Sequence, residues 1–271
     1  MEIASQLFWH PGLADPSGKR QRKPRTSGKT MIIDKGMGLH AFEDMLVSAS
    51  EYIDLIKLGF GTSPLYPLSV LTKKISLANA HGVDIMPGGT FLEVAIRQNE
   101  IQTYLDMIVR LGFTALEVSD GTIELDRGLR SDLIREGVNL GLQVVTEYGK
   151  KCWGSRIEVE ALAETIQIDA SCGASLVTVE GRESGVGVGI YDETGKPLDD
   201  EIREVIRLVD NPRILLWETP QKSQQVHFLK MLGSDVNLGN IAPEDVLSLE
   251  ALRRGLRSDT FELWKDASGQ S

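Results

Sequence analysis

Acidic and basic side chains recur along this chain at the ends of short apolar segments. Glu117, Glu147 and Glu180 close or directly follow three of these segments, and Lys57 and Lys150 occupy comparable positions. Carboxylates that crowd together repel one another, and the usual remedies are a bound divalent cation, paired cations or raised pKa values. If the segments are neighbouring strands, we expect one charged ring, and its oxygen ligands favour Mg²⁺.

Basic side chains at such positions indicate an anionic ligand. Five cations would make one locally positive surface in a chain whose formal net charge is −10. They are Lys35, Lys57, Lys150, Arg182 and Lys222. A phosphorylated or carboxylated small molecule fits this surface. The alternative is that these cations only neutralise the glutamates, as they do in structural ion-pair networks.

The segment EGRESGVGVG (180–189) raises the question of a phosphate-binding loop. In the nucleotide-binding fingerprints the glycines open directly into a helix whose N-terminus faces the phosphate. Here the turn-forming run DETGKP follows, and the helical pattern resumes only at about Asp199. The sequence therefore predicts a long glycine-rich loop after a strand rather than a nucleotide loop.

Eight β-rich runs alternate with amphipathic stretches, and these elements must position the charged residues. The runs span residues 30–36, 52–63, 83–90, 115–121, 142–149, 176–182, 214–220 and 235–240. Strict alternation predicts a parallel sheet, and eight units favour closure into a barrel. We therefore predict an α/β fold, a single (β/α)8 TIM barrel with eight parallel strands. The length of 271 residues agrees with the roughly 250 that are typical of this fold.

Glycines mark the points at which five predicted helices end before a strand. A glycine accepts the left-handed backbone that turns a helix back towards the sheet. These glycines are Gly82, Gly112, Gly141, Gly173 and Gly233.

The predicted organisation has three parts. Residues 1–28 form an N-terminal extension, residues 29–262 the barrel, and residues 263–271 a C-terminal tail. The extension contains the basic cluster KRQRKPR (19–25), which we interpret as a solvated tail or as a contact arm for a partner.

Composition narrows the class of protein. The net charge of −10 argues against nucleic-acid binding, which depends on pooled lysine and arginine. Membrane spanning is not expected, because no apolar run approaches ~18 residues, and the N-terminus lacks the order of a signal peptide. The only two cysteines, Cys152 and Cys172, are too few for a disulfide framework. We predict that both are reduced and that the protein is cytoplasmic.

Long segments of the chain resemble phosphosulfolactate synthases. Among them are YIDLIKLGFGTS, EVSDGTIEL, EGRESGVGVGIYDETGK and ETPQKSQQVHFLK, and the matching segments run in order from about residue 30 to 261. The resemblance implies a Mg²⁺-dependent barrel enzyme that adds sulfite to phosphoenolpyruvate, giving (2R)-phospho-3-sulfolactate on the way to coenzyme M or sulfolactate. The family also includes heat-stress-associated relatives. A non-catalytic interaction protein on the same barrel, or another Mg²⁺-dependent lyase acting on a phosphorylated carboxylate, therefore stays open as an alternative.

The resemblance also implies roles for individual residues. Lys150 is the predicted general acid, with Lys35 and Lys57 next in line. The predicted metal ligands are Glu117, Glu147 and Glu180. The predicted substrate-binding residues are Arg182, Lys222, Gln221, Asn240 and Ser119. The segment 180–189 becomes a flap carrying Arg182 over the substrate, although Val186 and Val188 stand where the family can carry lysine.

The family further suggests a homo-oligomer such as a trimer. Contacts are expected from apolar residues on outer helices, for which Phe228, Leu252 and Trp264 are candidates.

Overall fold

A parallel β-barrel forms the centre of the computed structural model, which describes residues 9–150 and 153–262. Its eight strands confirm all eight predicted runs; each strand is shorter than predicted, and the last ends one residue later. They are β1 (Thr30–Asp34), β2 (Leu55–Leu58), β3 (Asp84–Pro87), β4 (Ala115–Val118), β5 (Gln143–Tyr148), β6 (Leu176–Val179), β7 (Leu215–Glu218) and β8 (Asn237–Ile241). The predicted (β/α)8 TIM barrel is confirmed.

The strands are ordered β3-β2-β1-β8-β7-β6-β5-β4, so the regular ladder is interrupted between β3 and β4. Two hydrogen bonds span this gap. The backbone N–H of Ile85 donates to Thr114 Oγ1 at 3.0 Å, and the N–H of Thr114 donates to the carbonyl of Ile85 at 3.2 Å. A side-chain hydroxyl thus replaces one backbone acceptor, and the barrel is nearly closed.

Helices surround the barrel, and all except the four-residue α1 bury apolar residues. They are α1 (Pro11–Ala14), α2 (Leu39–Ala49), α3 (Leu68–Ala80), α4 (Gly89–Arg97), α5 (Ile101–Leu111), α6 (Arg127–Asn139), α7 (Val159–Cys172), α8 (Asp199–Leu208), α9 (Lys222–Leu232) and α10 (Val246–Arg253). Short 3-10 turns span Ser50–Tyr52, Ser63–Leu65, Pro212–Ile214 and Pro243–Asp245. Gly112 and Gly173, with φ of 88° and 110°, end α5 and α7 in the left-handed conformation that was predicted.

Two layers fill the inside of the barrel. Alternate residues of a strand face the same side, so Leu55 and Lys57 both face the barrel axis, as do Val145 and Glu147. The lower layer is apolar and consists of Met31, Leu55, Met86, Ala115, Val145, Leu176 and Leu216. The next inward position towards the carboxyl end of several strands is charged, and this second layer forms the floor of the site.

The basic cluster of the N-terminal segment packs against the opposite end of the barrel. Arg25 pairs with Asp54 at 3.2 Å, and Lys23 Nζ donates hydrogen bonds of 2.6 to 3.1 Å to three carbonyls. These carbonyls belong to Ser50, Ile53 and Gly82. The interpretation as a solvated tail is therefore wrong, because these cations satisfy backbone acceptors of the chain itself.

Two of the residues expected to mediate association are core residues. Phe228 and Leu252 have no exposed surface, and the ring of Phe228 packs on Trp217 at a centroid distance of 5.3 Å. That expectation is wrong for both, because their helices turn this face towards the sheet. Trp264 lies outside the described residues.

Cys172 is a buried free thiol, whereas Cys152 lies outside the described residues. Within the described part of the chain, no helix is both long and apolar enough to cross a membrane.

Candidate active site

The ammonium group of Lys57 lies at the centre of the charged layer. Its Nζ is 2.8 Å from Glu117 Oε1, 2.8 Å from Glu147 Oε2 and 3.6 Å from Glu218 Oε1. All four side chains are at most 8% exposed. Four different strands supply them, β2, β4, β5 and β7, so it is the closing of the barrel that brings these four charges together.

The surrounding charges fix the protonation state of Lys57. Burial alone would lower the pKa of this lysine, but Glu117, Glu147 and Glu218 together outweigh burial and raise the pKa well above its usual value. Lys57 is therefore an ammonium at neutral pH. Such a group stabilises negative charge well, and it is a weak proton donor at neutral pH.

A cavity of about 130 Å³ opens above this layer at the carboxyl ends of the strands. Residues that belong to or directly follow seven of the eight strands line it. The charged and amide side chains among them are Lys57, Glu147, Glu180, Arg182, Glu183, Glu218 and Asn240. Active sites of barrel enzymes lie at this face, so the cavity is the candidate active site.

The cavity offers oxygen ligands suitable for a hard divalent cation. Glu147, Glu180 and Glu218 line it together with Asn240, whose buried Oδ1 has no hydrogen-bond partner among the described residues. Within residues 9–150 and 153–262, no three Asp, Glu, His or Cys side chains are arranged to hold a metal by themselves. Mg²⁺ usually retains several waters and uses one or two carboxylates plus substrate. The donor chemistry and the excess of negative charge therefore fit Mg²⁺.

Glu117 differs from the other two predicted metal ligands. One of its carboxylate oxygens contacts Lys57, and the other accepts a 2.5 Å hydrogen bond from the backbone N–H of Gly89. The structure thus brings Glu147 and Glu180 to the cavity, whereas Glu117 is not among the residues that line it.

Lys150 and Ser119 hold the loop that follows β4. Lys150 Nζ donates to the carbonyls of Asp120 and Ile123 at 2.8 and 2.9 Å. Ser119 Oγ donates to Glu93 at 2.5 Å, and the buried Glu93 also accepts from two backbone N–H groups of the loop. Both predicted site residues therefore make supporting contacts, and Glu93 shares this function.

Three further predicted residues are not among those that line the cavity. Lys222 Nζ pairs with Asp259 at 2.8 Å, and Gln221 Nε2 donates to the carbonyl of Ser184 at 2.7 Å. Lys35 follows β1 and is exposed. The predicted ring therefore assembles around Lys57 and Arg182, with the remaining cations at its periphery.

The loop 180–189 is packed on its neighbours. Gln224 Nε2 donates to the carbonyls of Gly185 and Gly195 at 2.7 and 3.0 Å, which ties the loop to α9. A Cβ added at Gly187, where φ is 67°, would lie 2.6 Å from the ring of Trp153. Val188 is fully buried, which gives a physical reason for an apolar residue there.

The sequence alone did not identify the buried pair of Asp34 and Lys74. Lys74 Nζ on α3 is 2.5 Å from Asp34 Oδ2 at the end of β1, and both side chains are fully buried. The rings of Phe42 and Tyr66 also face the ammonium, at 4.9 and 4.4 Å. The sequence signal that could have indicated this pair is a lysine, Lys74, within the apolar face of a helix.

The fold and the site define a (β/α)8-barrel protein with a charged cavity at the carboxyl ends of its strands. The chain belongs to the family described as (2R)-phospho-3-sulfolactate synthase (ComA), which it matches over residues 18–259. This match confirms the resemblance drawn from the sequence motifs.

Relatives named for an enzyme are similar over nearly their whole length. Phosphosulfolactate synthase of Methanothermobacter thermautotrophicus is 41% identical over 244 residues, or 89% of this chain and 94% of that protein. The enzyme of the same name from Bacillus subtilis is 35% identical over 246 residues, or 90% and 96%.

Solved structures with low sequence identity share the fold. Dihydrodipicolinate synthase of Agrobacterium tumefaciens is similar with a TM-score of 0.53 at 9% identity, over 89% of this chain and 78% of that chain. 3-Hexulose-6-phosphate synthase of Salmonella typhimurium is similar with a TM-score of 0.50 at 16% identity, over 88% and 99%. These similarities concern the fold alone.

Proposed function

We propose that the protein adds sulfite to phosphoenolpyruvate to give (2R)-phospho-3-sulfolactate, in a Mg²⁺-dependent carbon–sulfur bond-forming reaction. The observation that carries the proposal is the buried Lys57 ammonium, held by three glutamates below a cavity that Arg182 also lines. The Lys57 ammonium and the Arg182 guanidinium together suit a small anion with more than one negative charge. Membership of the synthase family supports this choice of substrates.

The reaction needs charge stabilisation more than it needs a nucleophile from the protein. The sulfur lone pair of sulfite attacks the methylene carbon, and the electrons of the double bond move onto the carboxylate as an aci-carboxylate. A proton then reaches the central carbon on one face. Negative charge grows on the carboxylate during the attack, so a fixed ammonium such as Lys57 lowers the barrier.

The other groups have supporting functions. Arg182 offers a guanidinium fork for the phosphate or for sulfite. Glu147 and Glu180, with Asn240, would hold Mg²⁺, which when bound supplies further positive charge against the substrate oxygens. A general acid remains necessary, and the contacts of Lys150 with the β4 loop lead us to test its predicted function directly.

We expect Arg182→Ala and Lys150→Ala to differ in their kinetics. Loss of a charged hydrogen-bond donor to substrate should raise KM about tenfold or more with little change in kcat. Since Lys150 supports a loop, Lys150→Ala should lower kcat about tenfold or less, whereas removal of a general acid costs about 10²- to 10⁴-fold. Steady-state kinetics of both variants distinguish a supporting role of Lys150 from that of a general acid. Lys196→Ala, at an exposed position, is the control. A kcat loss in the larger range would establish Lys150 as the proton donor.

The reaction itself is tested by incubating the pure protein with phosphoenolpyruvate, sulfite and Mg²⁺. The phosphorylated sulfonate should appear by ³¹P NMR, and a chelator should suppress it until excess Mg²⁺ is restored. An omission series, lacking each substrate in turn, is the control. Folded protein without turnover would contradict the proposal.

The basic N-terminal segment does not favour the alternative of a non-catalytic interaction protein, because its Lys23 and Arg25 contact the barrel of the same chain. A cytoplasmic location and a homo-oligomer such as a trimer remain proposals, the first from the cysteine content and the second from the family.

A further inference from the structure

Residues with left-handed backbone conformation converge on the cavity. Within the described residues, four non-glycine positions have positive φ: Phe60 (57°), Asn99 (56°), Arg182 (59°) and Asn240 (54°). Three of them, Phe60, Arg182 and Asn240, line the one cavity above Lys57. Such strain persists where the surroundings enforce it, and it clusters at functional sites.

Phe60 is the least expected of the three. Asparagine tolerates this conformation because its short polar side chain bonds locally, whereas for a bulky residue it is a genuine outlier. The residue is also 53% exposed, although it lines the cavity. Core packing therefore does not account for its position, and neither does local propensity.

A tight turn after β2 forces the ring to this place. The N–H of Gly59 donates to the carbonyl of Asp34 at 3.0 Å, and the Gly59 carbonyl accepts from Thr62 N–H at 3.0 Å. A Cβ at Gly59 would lie 2.9 Å from Ile33, and Gly61 has a φ of 62°. With glycine on both sides of Phe60, the chain makes this turn readily, and the turn holds the ring three residues beyond Lys57.

We propose that Phe60 is a specificity-determining residue whose ring covers a small anion bound beside Lys57 and Arg182. Covering the mouth removes water, and this strengthens the attraction between the anion and both cations. The ring also sets an upper limit on the size of the ligand at this side of the cavity. This inference rests on the proposed function for the nature of the anion.

The test compares Phe60→Ala with Phe60→Gly, and the probe is phosphoenolpyruvate with Mg²⁺ and no sulfite. Both variants lack the ring, so calorimetry should show Kd raised about tenfold in each, as for a ligand contact of ordinary strength. Only glycine relieves the backbone, so the Tm of Phe60→Gly should exceed that of Phe60→Ala by about 2–4 °C. Phe60→Tyr keeps the ring and should bind within about twofold of the wild type.

Asn99→Gly is the matched control, because it replaces a residue of the same left-handed conformation at an exposed position between α4 and α5. Since asparagine tolerates this conformation, the Tm should change less than between Phe60→Ala and Phe60→Gly, and Kd should stay unchanged. If both Phe60→Ala and Phe60→Gly bind phosphoenolpyruvate with the wild-type Kd, the proposal that the Phe60 ring covers the anion is overturned.

The test also separates this inference from the proposed reaction. Weakened binding in the variants, with no sulfonate formed by the wild type, would refute the reaction and support the cover role. If the wild type binds neither phosphoenolpyruvate nor inorganic phosphate at millimolar concentration, both are overturned.

Discussion

Lys57→Met should lower turnover about 10²- to 10³-fold, the usual effect of removing one group that stabilises a developing oxyanion. The ammonium lies below the cavity, and the charge formed on the substrate carboxylate has to be balanced there. Initial rates at saturating phosphoenolpyruvate, sulfite and Mg²⁺ measure the effect. Lys73→Met, at an exposed position on α3, is the matched control and should retain wild-type turnover.

The same substitution leaves three buried carboxylates without their shared cation, which is destabilising. Circular dichroism must therefore establish that the variant is folded. The double variant Lys57→Met with Glu117→Gln removes one of the negative charges and should recover stability without recovering turnover. Turnover within about threefold of wild type in either folded variant would contradict the role of Lys57, because so small a change is below the effect of a lost oxyanion contact.

The pKa of Lys57 gives this cluster a definite pH dependence. The folded-state pKa lies well above the ordinary lysine value of 10.5. The stabilisation by this ammonium is therefore fully present below pH 10.5 and is lost only as pH rises through the folded-state pKa. An alkaline fall in activity between about pH 7 and 9 must come from another group, because Lys57 keeps its proton there.

The second large effect concerns the buried pair of Asp34 and Lys74. Lys74→Met should reduce the free energy of unfolding by about 3–5 kcal/mol, because it leaves the Asp34 carboxylate buried without its cation. Urea unfolding measures this change through the midpoint, provided that the m-value stays constant.

Two comparisons make this stability prediction specific. In Asp34→Asn with Lys74→Met the amide oxygen can still accept the N–H groups of Gly36 and Met37, which Asp34 Oδ1 accepts in the wild type. This double variant should recover much of the loss. Arg207→Met, which removes an exposed pair, should cost under about 1 kcal/mol. Equal costs for Lys74→Met and Arg207→Met would contradict the prediction.

Local sequence signals were sufficient to predict the elements of the barrel. Continuous apolar runs identify strands that are covered on both faces, and Gly112 and Gly173 end helices in the conformation that glycine favours. These signals depend on residues close together in sequence, which is why all eight strands were found. Strand bounds were predicted too long, because polar residues that continue an extended run already belong to the loops.

Active sites of barrel enzymes lie at the carboxyl ends of the strands, and this rule also located much of the site. Lys57, Glu147 and Glu180 reach the cavity because side chains alternate along a strand and parallel strands end at one face. The same rule placed Lys35, Lys150 and Lys222 in the predicted ring. For these lysines it was insufficient, because it does not predict where the ammonium group lies. A lysine side chain has a long reach, and its direction depends on which acceptor lies nearest in space.

The sequence by itself thus determined the barrel, its family and the strand ends that carry charge, because each follows from local pattern or from contiguous motifs. Only the tertiary structure decided which charged side chains form pairs with one another. Lys222 pairs with Asp259, Lys74 with Asp34, and Lys23 with three carbonyls from two separate segments. The buried charges among these need partners at hydrogen-bond distance, and those partners come from residues far away in the chain. Their identity is fixed only when the barrel closes and brings these segments together.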